Sequence, residues 1–209
     1  MRKYKFLILI LCFSIHSFAF AQTRKAQVSV GEGPIVLSPE EKVEFQQRTL
    51  EKINDFQDNL SQMAGKDLSA EEKLTYKDVA AELFINKGKT VVMEVSFKSP
   101  VTGKITIVNR PLLVYFDRLC NLPYKRVEFR AAKSCLVSDW KQKGHDSNGN
   151  PVYEATATYF QEFIGYGKDG STYRDITQKS VRVEIRRNTN PDVQHWIVLL
   201  GDITVEETA

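Results

Sequence analysis

Histidine is scarce in this sequence, which has three among its 209 residues. His16 lies in an N-terminal segment that we expect to be removed, which leaves His145 and His195. Neither has a second histidine or a glutamate at the spacing of a helical zinc motif, so we expect neither a metal site nor a cofactor. A dyad of His195 with Asp117 or Asp202 stays open, although a histidine at the rim of a strand is the simpler interpretation.

The local frames that activate a nucleophile are also missing. The sequence has no Gly-x-Ser-x-Gly elbow and no glycine-rich phosphate loop before a helix. We therefore assign no catalytic residue, and a role other than an enzyme's is favoured.

One segment imitates the start of a calcium loop. Asp146, Asn148 and Asn150 stand where the first three ligands would, but Pro151 occupies the position of the sharp-turn glycine and Ala157 that of the bidentate glutamate. The same residues suit a two-residue hairpin turn at Asn148 and Gly149 with positive φ at both positions. The pattern thus favours a turn over a metal site.

Cysteine is as rare as histidine, with three in the chain. Cys12 lies in the segment expected to be removed, and the remaining pair, Cys120 and Cys135, would suit one disulfide in an oxidising compartment. An unbroken strand before Cys135 would carry it too far from Cys120, so the bridge requires a break near residues 131–133. Two buried thiols are the favoured alternative.

An excess of charge is lacking as well. The chain has 29 basic and 26 acidic residues, a net charge of +3. Three of the basic residues, Arg2, Lys3 and Lys5, lie in residues 1–21, which contain no acidic residue. The rest of the chain is therefore neutral, and nucleic acid is not an expected partner, because its binding depends on surplus Lys and Arg.

The first 21 residues are typical of a cleavable signal peptide. A basic start precedes an apolar run over residues 6–13, and Ala19 and Ala21 form a small-x-small cleavage site. The run is shorter than the roughly 20 apolar residues of a spanning helix. We expect a periplasmic or secreted protein, cleaved near Ala21 and without a membrane span, with a flexible leader over residues 22–37 and one α+β domain over residues 38–209.

Two amphipathic helices open the predicted domain. Ser38 with Glu41, and Ser69 with Glu72, form capping boxes. The expected buried stripes follow them, and Gly65 and residues 86–88 end the helices. The stripes are Val43, Leu50, Ile53, Phe56, Leu60 and Met63, then Tyr76, Val79, Ala80, Leu83 and Phe84.

After Gly88 the apolar period changes from 3.6 to 2 residues, which predicts strands. A hairpin turns at residues 99–103, a short helix follows from Pro111 to Leu119, and later strands run through residues 127–131, 153–163, 181–185 and 195–205. Gly201 suggests a bulge in the last strand. The order predicts an α+β fold in which three helices pack on a strongly curved antiparallel sheet of about six strands.

This order resembles the nuclear transport factor two-like superfamily, which has a cone-shaped, cystatin-like α+β fold. The most recognisable stretches are residues 83–88 (LFINKG) and residues 196–207 (WIVLLGDITVEE). The resemblance implies a sheet curled into an open cone whose mouth can hold a ligand and whose outer face often mediates dimers. The superfamily contains enzymes, binding modules and assembly scaffolds, so the resemblance does not fix a function.

Aromatic residues are concentrated on the late strands that would line such a cone. Core packing explains most strand aromatics, but a ligand site is the functional alternative. The residues predicted to bind a ligand are Trp140, Tyr159, Phe163 and Trp196.

These observations predict an exported, non-catalytic binding or envelope-assembly module. Its partner would be a protein or a small apolar ligand, and a homodimer through the outer sheet face is an additional hypothesis. The alternative is a small isomerase or dehydratase with a carboxylate base in an aromatic cone, for which Asp117, Glu162 and Asp202 are the candidates.

Overall fold

A computed structural model of the chain describes residues 37–99, 102–188 and 196–208. The predicted signal peptide, all but the last residue of the predicted leader, and His195 lie outside the described residues.

The two predicted capping boxes are confirmed. Helix α1 (Pro39–Ala64) begins after Ser38, whose hydroxyl accepts from the Glu41 amide at 3.1 Å while the Ser38 amide donates to the Glu41 carboxylate at 2.8 Å. Helix α2 (Ala70–Glu82) begins after Ser69 with the same reciprocal pair to Glu72. Each box satisfies two amides that the first helical turn leaves unpaired.

The buried stripe of α1 differs in part from the predicted one. Phe45 is fully buried and starts a stripe that continues through Thr49, Ile53 and Phe56. The prediction for Val43 is wrong, since its side chain is 70% exposed. Two residues span about 200° of a helix, so the burial of Phe45 turns Val43 toward solvent. Val79 of α2 is exposed for a similar reason: the neighbouring Ala80 and Ala81 face the core instead.

The chain continues from α2 into strands that form one sheet. A short 3-10 turn (Ile85–Gly88) precedes β1, and helix α3 interrupts the strands after the first hairpin. The strands and α3 are, in chain order, β1 (Val92–Lys98), β2 (Ile105–Pro111), α3 (Leu112–Cys120), β3 (Arg126–Arg130), β4 (Cys135–Val137), β5 (Lys141–His145), β6 (Pro151–Tyr166), β7 (Thr172–Arg187) and β8 (Trp196–Thr208).

The sheet runs in the order β2-β1-β8-β7-β6-β3, and β4 and β5 also pair with β6. It is strongly curved, and the three α-helices pack against it, as predicted. One pairing corrects the prediction of a purely antiparallel sheet: β1 and β8 run parallel, with Met93 opposite Ile203. These strands are far apart in sequence, so no tight turn dictates their relative direction.

The bulge predicted at Gly201 is confirmed. The register of β7 against β8 shifts between Val181 and Val183, which pair with Ile203 and Leu200 on either side of Gly201. A Cβ atom at position 201 would lie 2.7 Å from the Arg182 Nε atom, so a larger residue there would force the Arg182 side chain to shift.

The loop between β5 and β6 is a turn, but not the predicted one. The Asp146 carboxylate accepts from the amides of Asn148 and Asn150, each at 2.9 Å. Gly149 has a φ of 79°, whereas Asn148 is not among the residues with positive φ. The Asp146 amide donates to the Asn150 carbonyl, so three residues rather than two close the hairpin.

Cys120 and Cys135 are free thiols. The chain does break between β3 and β4, as a bridge would require, yet Cys135 is buried against α1, where its thiol approaches the Gln46 carbonyl at 3.9 Å. Burial raises the pKa of the Cys135 thiol, which makes it a poor nucleophile.

Among the described helices, none has both the length and the apolar character needed to cross a membrane.

Candidate functional site

A cavity of about 430 Å³ lies between the inner face of the sheet, α3 and the loop that follows α3. Its size is that of small-molecule sites, which range from about 300 to 1,000 Å³. Most of the wall is apolar. The apolar wall includes Met93, Val95, Leu119, Leu122, Pro123 and Phe129.

One polar part of the wall comes from β6 and β7. Phe163 pairs with Asp175, Gln161 with Thr177, and Tyr159 with Lys179. Because alternate residues of a strand share one face, Asp175, Thr177 and Lys179 all line the cavity, spaced by ~6.6 Å along β7. A carboxylate, a hydroxyl and an amine thus follow one another along a single strand.

Lys179 is the most deeply placed charged group of this wall, with a side chain only 3% exposed. Its Nζ atom donates to the backbone carbonyl of Glu94 at 2.9 Å. Desolvation by burial lowers the pKa of Lys179 to about 8, although the carboxylates of Asp175 and Glu94 act in the opposite direction. About a tenth of this amine therefore carries no proton at pH 7, and about half carries none at pH 8.

Two buried polar atoms beside Lys179 have no hydrogen-bond partner among the described residues. They are the Oε1 atom of Gln161, a residue that lines the cavity, and the hydroxyl of Tyr159, a core residue that pairs with Lys179 across β6 and β7. Burial raises the pKa of Tyr159, so its hydroxyl stays protonated. An unpaired buried acceptor costs about 1–3 kcal/mol, so Gln161 would gain from a ligand that donates a hydrogen bond.

Aromatic rings and two arginines line the cavity elsewhere. The rings of Tyr124 and Tyr173 stack at 6.5 Å, and Phe163 meets them edge-on at 5.7 and 5.9 Å. Arg110 and Arg118 also belong to the wall, and neither forms an ion pair within the described parts of the chain. Their guanidinium groups are available to an anionic substituent of a ligand.

The four residues predicted to bind a ligand are not brought together. Phe163 lines the cavity, whereas Tyr159 is buried in the core opposite Lys179 and does not line it. Trp140 and Trp196 both pack edge-on against Phe45, with ring centroids 6.0 Å apart in each pair. These two tryptophans belong to the hydrophobic core around α1 and do not line the cavity.

The three carboxylates named for an enzymatic alternative do not line the cavity either. Asp117 is paired with Lys77 on the exposed side of α3, and Glu162 binds Arg174 at 2.6 Å. Asp202 accepts from the Val92 amide at 2.9 Å.

Sequence reasoning missed Asp175 and Lys179. The alternation of Val181, Val183 and Ile185 contains the signal that could have found them: extended toward the N-terminus, the same period places residues 179, 177 and 175 on the inner face. Across the described ranges, no three His, Cys, Asp or Glu side chains converge in a way that could hold a metal ion.

No protein-family profile matches this chain, and no curated protein matches it. A nuclear transport factor 2-like superfamily protein from Salmonella enterica serovar Typhimurium shares 10% identity at a TM-score of 0.48, over 80% of this chain and 94% of that one. Aln2 from a Streptomyces species shares 10% identity at a TM-score of 0.40, over 82% and 93%. An NTF2-like protein of unknown function from an Exiguobacterium species shares 9% identity at a TM-score of 0.30, over 74% and 95%.

Likenesses this distant concern the fold alone and carry no information about a ligand. Two of these similar structures are described as nuclear transport factor 2-like proteins, the superfamily that the sequence resembles.

Proposed function

We propose that this chain is a binding protein for a small amphipathic molecule. The observation that carries the proposal is an apolar cavity of about 430 Å³ with one buried amine, Lys179, in its wall. Apolar walls with a few converging polar groups are the usual form of a small-ligand site. Arg110 and Arg118 favour a ligand with an anionic substituent.

The test is a titration with anilinonaphthalene sulfonate, an aromatic anion that fluoresces in apolar surroundings. Phe163→Ala removes a ring from the cavity and is expected to weaken binding about tenfold, equivalent to about 1.4 kcal/mol. Val79→Ala is the control, because Val79 is 49% exposed on α2 and lines neither the cavity nor the outer sheet face. Equal affinities for the two variants, with both folded by circular dichroism, would refute the proposal.

A second candidate function is an isomerase or dehydratase. The observation that favours it is Asp175, a carboxylate that lines the same cavity as the buried Lys179, in place of the three carboxylates predicted from sequence. Turnover of a bound ligand that Asp175→Asn abolishes without changing its affinity would support this function over simple binding.

We also propose that the chain is exported. The support is its N-terminal sequence, with a basic start, an apolar run and the Ala19-Phe20-Ala21 site. Expression of the full chain in a Gram-negative host is expected to give a periplasmic or secreted protein that begins at Gln22 by N-terminal sequencing. A product that retains Met1 would contradict export with cleavage.

Self-association through the outer sheet face is a further part of the proposal. Leu136, Phe160 and Ile176 lie on three neighbouring strands of that face, and the first two are 77% and 62% exposed. We call these three residues the outer apolar patch. Exposed apolar side chains grouped on one face are typical of protein contact surfaces.

A further inference from the structure

We propose that Lys179 is a nucleophilic amine that captures a small aldehyde or ketone in the cavity as an imine. This inference rests on the proposed function, since it names the class of ligand that the cavity takes and the atom that holds it.

The first support is the position of Lys179. Its side chain projects from the inner face of β7 into a mainly apolar cavity and is almost completely shielded from bulk solvent. Its Nζ atom donates to the backbone carbonyl of Glu94, which is a neutral acceptor. An amine in such surroundings meets an apolar carbonyl compound that fills the same cavity, and little water competes for it.

The second support is the protonation state that this position imposes. Only the free base of an amine attacks a carbonyl group, and an ordinary lysine with a pKa of about 10.4 is almost wholly protonated near pH 8. Burial holds the pKa of Lys179 at about 8, so roughly half of this amine is the free base at that pH. Desolvation in an apolar pocket is one of the established ways to activate a lysine for imine formation.

The third support is a set of neighbours that suits the reaction. The Lys179 lone pair forms a C–N bond to the carbonyl carbon as the C=O π bond breaks, and one proton passes from the nitrogen to the oxygen to give a carbinolamine. The hydroxyl then takes up a second proton and leaves as water as the C–O bond breaks, and the nitrogen gives up its remaining proton once the C=N bond has formed. Asp175 is the cavity carboxylate that can carry these protons, and the Gln161 Oε1 atom can accept from the carbinolamine hydroxyl. The exchange needs no oxidant or reductant.

The experiment uses benzaldehyde as the probe, with sodium cyanoborohydride to trap the imine as a stable secondary amine. The purified chain is treated near pH 8 and mapped by peptide mass spectrometry. We expect one adduct on Lys179 before the exposed lysines react. Lys179→Arg keeps the positive charge and should lose the adduct. Lys143→Arg replaces an exposed lysine paired with Glu154 and should retain it.

The pH profile of the wild-type chain provides a test that needs no variant to fold. The modification rate at Lys179 should level off above a pH of about 8, while the rates at exposed lysines keep rising toward their ordinary pKa.

A Lys179 rate that follows the exposed lysines, or an adduct of equal yield in a folded Lys179→Arg variant, would overturn the inference. Binding of anilinonaphthalene sulfonate without a Lys179 adduct would overturn the inference and leave the proposed function standing. The absence of both would overturn both.

Discussion

At the scale of single residues, the burial of Lys179 carries an electrostatic cost. Burying an ammonium group disfavours its charged form, and the fall of its pKa from 10.5 to about 8 expresses that cost. The folded state therefore binds fewer protons than the unfolded state between these two pH values. It follows that the free energy of unfolding rises with pH across this interval, as the unfolded chain gives up the same proton.

Lys179→Met removes this titration while keeping an unbranched side chain. The free energy of unfolding of the variant minus that of the wild type is expected to fall by about 3 kcal/mol between pH 7 and pH 11. Urea denaturation at several pH values measures the difference. Lys143→Met, which removes an exposed lysine, is the control. Equal profiles for the two variants would mean that Lys179 is solvated in the native state.

The residues that sequence could identify are those whose role depends on their immediate neighbours. Ser38 and Glu41 were recognisable because a capping box is contained within four residues. The sequence could not distinguish Trp140 and Trp196, which pack in the core, from Phe163, which lines the cavity. The strand pattern places an aromatic residue on the inner face but does not indicate whether that part of the face borders the core or the cavity. The sequence did not predict that Lys179 faces inward, because lysine is rarely buried and an inward lysine contradicts that preference.

At the scale of elements, the turn after α2 depends on an unusual backbone. Asn86, Lys87 and Gly88 all have positive φ, at 50°, 54° and 71°. Lys87 is an uncommon residue for this conformation, whereas Gly88 adopts it freely. The three residues redirect the chain from α2 toward β1, which forms one wall of the cavity.

Gly88→Ala tests this turn against a matched glycine. A Cβ atom at position 88 would lie 2.7 Å from the Leu112 Cδ2 atom, whereas one at Gly103, with a φ of 68°, meets nothing within 4 Å. Both substitutions add the strain of positive φ, about 1 kcal/mol, and only Gly88→Ala adds overpacking of roughly 1–3 kcal/mol. Thermal denaturation should show the larger loss for Gly88→Ala. Equal losses of thermal stability in the two variants would show that the Leu112 side chain moves aside without cost.

The elements were predictable to the extent that their signals are periodic. Helices α1 and α2 and the long strands β6 and β8 followed from capping and alternation. The parallel pairing of β1 with β8 did not, because pairing between strands about a hundred residues apart leaves no mark in either strand. The exposure of Val43 was missed because two apolar stripes are possible in α1, and only tertiary packing selects the one that contains Phe45.

At the scale of the whole molecule, the two faces of the sheet differ in character. The inner face carries the core and the cavity, whereas the outer face carries ion pairs around the outer apolar patch. Lys143 and Arg182 both pair with Glu154 there. These charges disfavour non-specific association with other proteins, so the outer apolar patch is the apolar part of that face that can form an interface.

The patch predicts a concentration-dependent homodimer. Light scattering coupled to size-exclusion chromatography should give about twice the chain mass for the wild type, and Phe160→Lys should shift it toward the mass of one chain. Val43→Lys is the control, since Val43 is exposed on α1, outside the sheet. A single-chain mass for the wild type at all concentrations would exclude this dimer.

The parallel pairing has a consequence for how the protein is made. The β1–β2 hairpin joins the remaining strands only through β8, which leaves the ribosome after all the other described strands. Until then, the β1 edge of the hairpin and the β7 edge of the strands β3 to β7 lack a partner strand, and both edges are able to pair with other chains. The cavity is lined by residues from both sides of the β1–β8 pairing, so it forms only after β8 has been synthesised.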